Sequence, residues 1–187
     1  MKFDLILAGV GGQGVLSLAA IIARGAMKDK LKVRQSEVHG MAQRGGAVHS
    51  HIRISDSEIA SDLVPRGTAS LVLGMDPLES LRYVDFLSVD GCIVTAAEPY
   101  INIPNYPEIE TVYEKIRTFK NHKIVDSVTL AKKAGSSQAA NMVIIGAASN
   151  LLPVSKESLT AAIAELFSPK GKDVVDVNIK AFEFGAE

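Results

Sequence analysis

The sequence predicts a doubly wound α/β fold, in which a mostly parallel, Rossmann-like sheet carries a helical cap formed by the C-terminal part of the chain. Short apolar runs bounded by turn residues alternate with stretches of helical periodicity, which is the pattern of strand–helix–strand units. From Gln138 onward the pattern becomes almost purely helical. Because no internal repeat, low-complexity stretch or linker is evident, residues 1–187 are expected to form a single domain.

The first predicted strand, residues 3–10, is a nearly continuous apolar run, as is typical of a central parallel strand. It leads through a glycine-rich turn into a largely apolar helix over residues 14–27. Residues 98–106 contain two prolines and two asparagines and are expected to be irregular. Further strands are predicted at residues 31–36, 47–54, 70–74, 91–96 and 123–126.

Capping residues and small side chains predict several helices. Asp76 is placed to cap a helix that starts at Pro77, where proline is best tolerated. Gly146 and its alanine neighbours predict that the helix over residues 138–152 packs closely against another helix. Residues 173–184 are either a last helix or a docking tail.

The composition excludes several classes of function. The net charge of −1 gives no basic field for nucleic acid or an anionic membrane, and no apolar run is long enough to span a bilayer. A single cysteine, Cys92, excludes an internal disulfide and an iron–sulfur cluster held by this chain alone, since such clusters take about four cysteines. The N-terminus does not resemble a signal peptide, so we expect a cytoplasmic protein.

A glycine motif is the strongest local signal for a ligand. Gly9, Gly11 and Gly14 form the pattern G-x-G-x-x-G between a predicted strand and a predicted helix, and they enclose Gly12 and Gln13. Such glycines let a ligand's phosphates approach the helix N-terminus, where free N–H groups favour negative charge. These five residues are therefore a candidate cofactor-binding loop, with a purely structural turn as the alternative.

Binding of NAD is a further alternative for this loop. It calls for an acidic residue about 20 residues on, at the end of the second strand, to hold the ribose. Asp29 lies near the end of the helix, and Glu37 lies too far along the chain. Neither position favours a dinucleotide.

A second glycine-rich loop over residues 37–46 contains His39, Gln43 and Arg44, which are further candidate cofactor contacts. The planar fork of an arginine binds carboxylate or phosphate, although a surface salt bridge explains Arg44 equally well. No Ser–His–Asp or Cys–His arrangement is evident, so the sequence does not indicate a self-sufficient catalyst.

His49, His51 and Arg53 alternate along the strand predicted at residues 47–54. His39, His49 and His51 could in principle ligate zinc, but no cysteine lies nearby, and we predict no metal. We expect instead a polar strand face that meets a ligand or a partner chain, rather than one that is merely solvated.

Five blocks of the sequence carry a resemblance to a known family. The chain resembles the β subunits of indolepyruvate ferredoxin oxidoreductases, which share their domain type with the γ subunits of other 2-oxoacid:ferredoxin oxidoreductases. The block at 36–48 is the most specific and favours the indolepyruvate branch. The family more often has Glu in place of Asp76. The blocks are AGVGGQGVL at 8–16, SEVHGMAQRGGAV at 36–48, GMDPLESLR at 74–82, NMVIIGA at 141–147 and AFEFG at 181–185.

This resemblance implies an activity that the chain does not perform alone. An aryl 2-oxoacid, coenzyme A and oxidised ferredoxin would give an acyl-CoA, carbon dioxide and reduced ferredoxin. Thiamine diphosphate, Mg and the iron–sulfur clusters are expected in a larger α subunit, with which this chain would form a heterotetramer. The alternatives are a γ subunit for pyruvate or another 2-oxoacid, a nicotinamide-dependent dehydrogenase, and a subunit needed only for assembly.

The resemblance also suggests where the two glycine-rich loops act. In open α/β folds ligands bind at the carboxyl edge of the sheet. We therefore expect both loops to lie at this edge, to face the α subunit and to contact coenzyme A as a shared ligand, with His39 and Arg44 as polar contacts.

Overall fold

The computed structural model describes residues 1–37 and 45–187, and its centre is a six-stranded sheet in the order β2-β3-β1-β4-β5-β6. β3 runs antiparallel to both of its neighbours, whereas β1, β4, β5 and β6 pair in parallel. The predicted doubly wound, mostly parallel fold is confirmed. The strands are β1 (Lys2–Val10), β2 (Lys32–Glu37), β3 (Ala47–Ser55), β4 (Ala69–Gly74), β5 (Leu87–Ala96) and β6 (Asn121–Val125).

Helices cover both faces of this sheet, and residues 172–186, where the sequence predicted a helix or a docking tail, form a helix. No helix within the described ranges has the length and apolarity needed to cross a membrane. The helices are α1 (Val15–Lys28), α2 (Pro77–Leu81), α3 (Ile109–Arg117), α4 (Ser127–Ala134), α5 (Ala140–Ala148), α6 (Lys156–Phe167) and α7 (Lys172–Ala186).

The main core lies between one face of the sheet and α1, α4 and α5, with α6 and α7 packed outside. This arrangement confirms the predicted C-terminal helical cap. Leu5, Leu7 and Val94 supply fully buried side chains from the strands, and Leu18 and Ile22 supply them from α1. Burial of such side chains contributes about 1.5–3 kcal/mol each relative to exposure.

The opposite face carries α2, α3 and the irregular segment 56–68. Asp4 and Arg53 form a buried pair there, with Nε to Oδ1 at 2.8 Å, and Arg53 also donates to the carbonyls of Ser61 and Leu63. The Val64 N–H donates to Nδ1 of His51 at 3.1 Å.

The expectation that the polar face of β3 meets a ligand or a partner chain is therefore wrong for His51 and Arg53. Both side chains are buried beneath segment 56–68 of the same chain. The strand pattern shows that these side chains share a face, but it does not reveal a covering segment that follows later in the chain.

The connections of the strands place a crevice at the carboxyl edge of the sheet. After β1 the chain enters α1 on one face, whereas after β4 it enters α2 on the other face. β1 and β4 are neighbours, so their ends form the switch point at which open α/β sheets bind ligands.

Candidate functional site

The glycine-rich loop 9–14 lies at this switch point and is tied to the second glycine-rich loop. The Gly11 N–H donates to the Gly46 carbonyl at 2.8 Å, and the Gly45 N–H donates to the Gly11 carbonyl at 3.1 Å. The two loops therefore meet at the edge of the sheet. His39, Gln43 and Arg44 lie outside the described residues, so their contacts remain predictions.

Backbone geometry explains two of the glycines. Gly12 has φ +106° and Gly14 has φ +83°, a region that disfavours residues with a Cβ. A Cβ at Gly14 would also lie 2.7 Å from Nδ2 of Asn141 in α5. The loop thus turns sharply while the start of α5 lies directly against the start of α1.

The side chain of Gln13 joins the ends of β1 and β4. Its Oε1 accepts from the Val10 N–H at 2.7 Å, and its Nε2 donates to the Met75 carbonyl at 3.0 Å. Both polar atoms of the amide are thus engaged with backbone while the residue also lines the neighbouring cleft. The predicted contact of Gln13 with a cofactor stays a prediction.

A cleft of about 300 Å³ opens beside this loop, on the side where α4 and α5 begin. Its walls come from the ends of four parallel strands and from the start of α5, as the switch-point geometry requires. Its polar and charged lining is formed by Gln13, Glu98, Tyr100, Ser127, Ser137, Gln138 and Asn141.

Helices α1 and α4 both begin beside this cleft, and of the two only α1 has no side-chain cap at its N-terminus. The Glu98 carboxylate accepts from the Ser127 hydroxyl and from the Val128 N–H, each at 2.9 Å, and so occupies the start of α4. The Ser17 N–H already donates to the Gly14 carbonyl at 3.0 Å, so the N–H groups of Val15 and Leu16 are the ones that precede the hydrogen bonds of the helix and favour an anion.

Asn141 adds an unused acceptor between α1 and α5. Its Oδ1 is buried and, within the part of the chain that the structure describes, has no hydrogen-bond partner. A buried amide oxygen without a partner is costly, so a ligand that donates a hydrogen bond here would gain affinity.

The cleft contains residues that sequence reasoning did not select. Glu98, Tyr100 and Ser127 lie near strand ends, yet no spacing rule connects them with a glycine loop far away in the chain. Asn141 opens one of the five blocks quoted above, and that resemblance was the one available signal for it.

The geometry does not favour the dinucleotide alternative. Asp29 accepts from the Ser155 N–H at 2.6 Å and from both the Ser155 and Ser158 hydroxyls, and these bonds lower the pKa of its carboxyl. Glu37 ends β2, which β3 separates from β1. Two strand spacings, about 10 Å, therefore lie between Glu37 and the glycine loop.

The fold and the cleft together define an α/β domain with a polar cleft at its switch point. A family model described as "Pyruvate ferredoxin/flavodoxin oxidoreductase" matches residues 4–187. The chain belongs to this family.

Comparison with individual proteins gives the same family by sequence and the same fold by structure. "Indolepyruvate oxidoreductase subunit IorB" of Archaeoglobus fulgidus is 36% identical over 99% of this chain and 94% of its own length. Among solved structures, pyruvate oxidoreductase subunit PORC of Thermotoga maritima superposes with a TM-score of 0.75 at 23% identity, covering 99% of this chain and 95% of that one. A 2-oxoglutarate:ferredoxin oxidoreductase of Magnetococcus marinus, with 2-oxoglutarate, coenzyme A and succinyl-CoA bound, superposes with a TM-score of 0.78 at 22% identity. The superposition covers 98% of this chain and 30% of that larger chain.

Proposed function

We propose that this chain is the small subunit of an indolepyruvate ferredoxin oxidoreductase. The holoenzyme would convert an aryl 2-oxoacid and coenzyme A into an acyl-CoA and carbon dioxide, releasing a proton and passing two electrons to ferredoxin. Support for the branch comes from the 36% identity to an indolepyruvate oxidoreductase subunit over nearly the whole chain. The block at 36–48 supports the same branch.

The observation that carries a ligand role is the cleft at the switch point. The N-terminus of α1, which has no side-chain cap, suits the pyrophosphate of coenzyme A, since helix N-termini favour phosphate groups. Gly9, Gly11, Gly12 and Gly14 form the approach to that helix, and the buried Oδ1 of Asn141 offers an acceptor. The cleft has room for part of coenzyme A, and a partner chain would enclose the rest.

The electron-transfer cofactors belong, in this proposal, to the larger α subunit. Cys92 lies half-buried in β5, and burial raises the pKa of its thiol, which disfavours the thiolate that binds iron. One such cysteine does not fit an iron–sulfur cluster. We assign no redox step to this chain, and we place thiamine diphosphate and Mg in the partner as well.

The rim of the cleft supports docking of that α subunit at the same edge. Leu16, in the first turn of α1, is 48% exposed, and Tyr100 and Ile101 beside the cleft are 45% and 72% exposed. Exposed apolar side chains next to a polar cleft are typical of a surface that is buried in an assembly. Ferredoxin would bind the assembled, cytoplasmic enzyme.

Co-expression with its candidate α subunit tests this proposal. We expect coenzyme A-dependent reduction of a viologen dye by the mixture, fastest with indolepyruvate, and no activity of either chain alone. Equal or faster reduction with pyruvate or 2-oxoglutarate would move the chain to another branch of the family. Absence of a complex and of activity would contradict the subunit role, and calorimetry with NAD(H) would then test the dehydrogenase alternative.

A further inference from the structure

Asp76 forms more hydrogen bonds than helix capping requires. Its Oδ1 accepts from the Glu79 N–H at 2.8 Å, which is the capping bond of α2. Its Oδ2 accepts from the Tyr100 N–H at 2.7 Å, and the Tyr106 hydroxyl donates to Oδ2 at 3.0 Å and to Oδ1 at 3.3 Å. The residue is fully buried, and no Lys or Arg within the described ranges pairs with it.

A buried carboxylate without a cation is stable only if donors surround it. Two backbone N–H groups and one phenol supply them here. Burial, and next the Asp76 carboxylate, raise the pKa of Tyr106, so this phenol keeps its proton and donates. Two of the three donors come from the irregular segment between β5 and α3 rather than from α2.

That segment forms one wall of the cleft. Residues 98–100, which we call the cleft wall, line the cleft opposite Gln13. Glu98 ties the beginning of the wall to α4, and Asp76 holds its end through the Tyr100 N–H. Asp76 directly follows Met75, whose carbonyl accepts from Gln13.

We propose that Asp76 is a positioning residue for the coenzyme A cleft, since it holds the cleft wall at a defined distance from the glycine loop. It does not touch the ligand itself, and its role rests on the proposed function of the cleft. A displaced wall would weaken coenzyme A binding in the ground state and in the transition state alike. The expected signature is therefore a raised KM for coenzyme A with little change in kcat.

The variant Asp76→Asn separates capping from positioning. Asparagine caps helices about as well as aspartate, so Oδ1 can keep the Glu79 bond. The new amide nitrogen would face the Tyr100 N–H, and two donors would oppose each other. The variant Tyr106→Phe removes the second contact to the segment and leaves the capping bond in place.

Tyr83→Phe is the matched control. It also deletes a half-buried phenol, one that lies 2.8 Å from Nδ1 of His49, but it does not line the cleft. In the co-expressed complex we expect the KM for coenzyme A to rise about tenfold in Asp76→Asn and about threefold in Tyr106→Phe. We expect kcat within about twofold of wild type, and no change in Tyr83→Phe.

Hydrogen exchange of the Tyr100 amide gives a readout that is independent of activity. It should speed up about tenfold in Asp76→Asn and stay unchanged in Tyr83→Phe. An unchanged KM in both Asp76→Asn and Tyr106→Phe, within an active complex, would overturn the positioning role while leaving the proposed function intact. If the Asp76→Asn chain fails to assemble with the α subunit, the KM of the Tyr106→Phe complex tests the positioning role alone. An inactive wild-type complex would instead contradict the proposed function. In that case, unchanged hydrogen exchange of the Tyr100 amide in Asp76→Asn would also overturn the proposal that Asp76 holds the cleft wall.

Discussion

Gln13 shows how much one side chain can contribute at the scale of a single residue. The sequence marks it only as a polar residue within a glycine pattern. In the fold its amide accepts from Val10 and donates to Met75, residues far apart in the chain. The ends of β1 and β4, which border the cleft, are joined by this one amide.

We predict that Gln13→Met lowers the free energy of unfolding by about 2 kcal/mol, because two partly buried hydrogen bonds are lost and no polar group replaces them. Gln138→Met is the matched control. Gln138 also lines the cleft, but it is exposed, and its side chain has no hydrogen bond within the described residues. Urea unfolding of both variants measures the difference. Equal effects would contradict a joining role for Gln13.

At the scale of secondary-structure elements, close packing of α5 against α7 holds the C-terminal cap together. The small residues near Gly146 predicted close packing against another helix, and this is confirmed, with α7 as the partner. A Cβ at Gly146 would lie 2.0 Å from the Phe182 carbonyl oxygen, and one at Gly185 would lie 2.0 Å from the Val143 carbonyl oxygen. Each helix thus packs a glycine against the backbone of the other.

We predict that Gly146→Ala destabilises the chain by about 3 kcal/mol or more, although alanine favours a helix by about 1 kcal/mol over glycine. Backbone atoms cannot move aside without separating the two helices. Gly25→Ala in α1 is the matched control, since its Cβ would meet mainly the side chains of Val154 and Leu159, at 2.9 and 3.2 Å. We expect it to change stability by less than about 1 kcal/mol. Thermal unfolding of the two variants would refute the argument if Gly25→Ala proved the more harmful.

At the scale of the whole molecule, segment 56–68 closes the sheet face that α2 and α3 leave open. Its contacts include the bond from the Val64 N–H to His51, which requires an unprotonated Nδ1. Burial lowers the pKa of His49 and of His51, and for His51 the neighbouring His49 lowers it further. Tyr83 and Phe86 cover these two rings.

We predict that the chain loses stability as the pH falls. The pKa of both histidines is lower in the folded chain than in the unfolded chain. As the pH falls, the unfolded chain therefore binds protons before the folded chain does, starting near the ordinary histidine pKa of about 6.5. The stabilisation is complete above that pH and is lost as the pH falls through it toward the folded-state value. Urea unfolding at about pH 7.5 and pH 5.5 measures the loss.

The double variant His49→Gln, His51→Gln should reduce this pH-dependent loss, because glutamine does not titrate and can still accept from the Val64 N–H. The exposed His122 provides the control, and His122→Gln should leave the loss as in wild type. An undiminished loss in the double variant would assign the effect to carboxylates instead.

Local sequence patterns were enough to predict the secondary-structure elements and the family. Strands, helices and the Asp76 cap depend on neighbouring residues, since apolar periodicity and capping act over a few positions, and the structure confirms them. The irregular stretch at residues 98–106 was predictable for the same reason. The glycine motif likewise specified a turn at the end of β1 before any tertiary contact was known.

The strand order, the covering of β3 and the composition of the cleft depend instead on contacts between distant parts of the chain. The local pattern of β3 does not say that it lies between β2 and β1, and nothing near His51 predicts Val64 as its partner. The same holds for Asp76, whose capping role is local, whereas its bonds to Tyr100 and Tyr106 join parts of the chain at least 24 residues apart. Such contacts form only when the whole sheet is assembled, because no short-range propensity favours one distant partner over another.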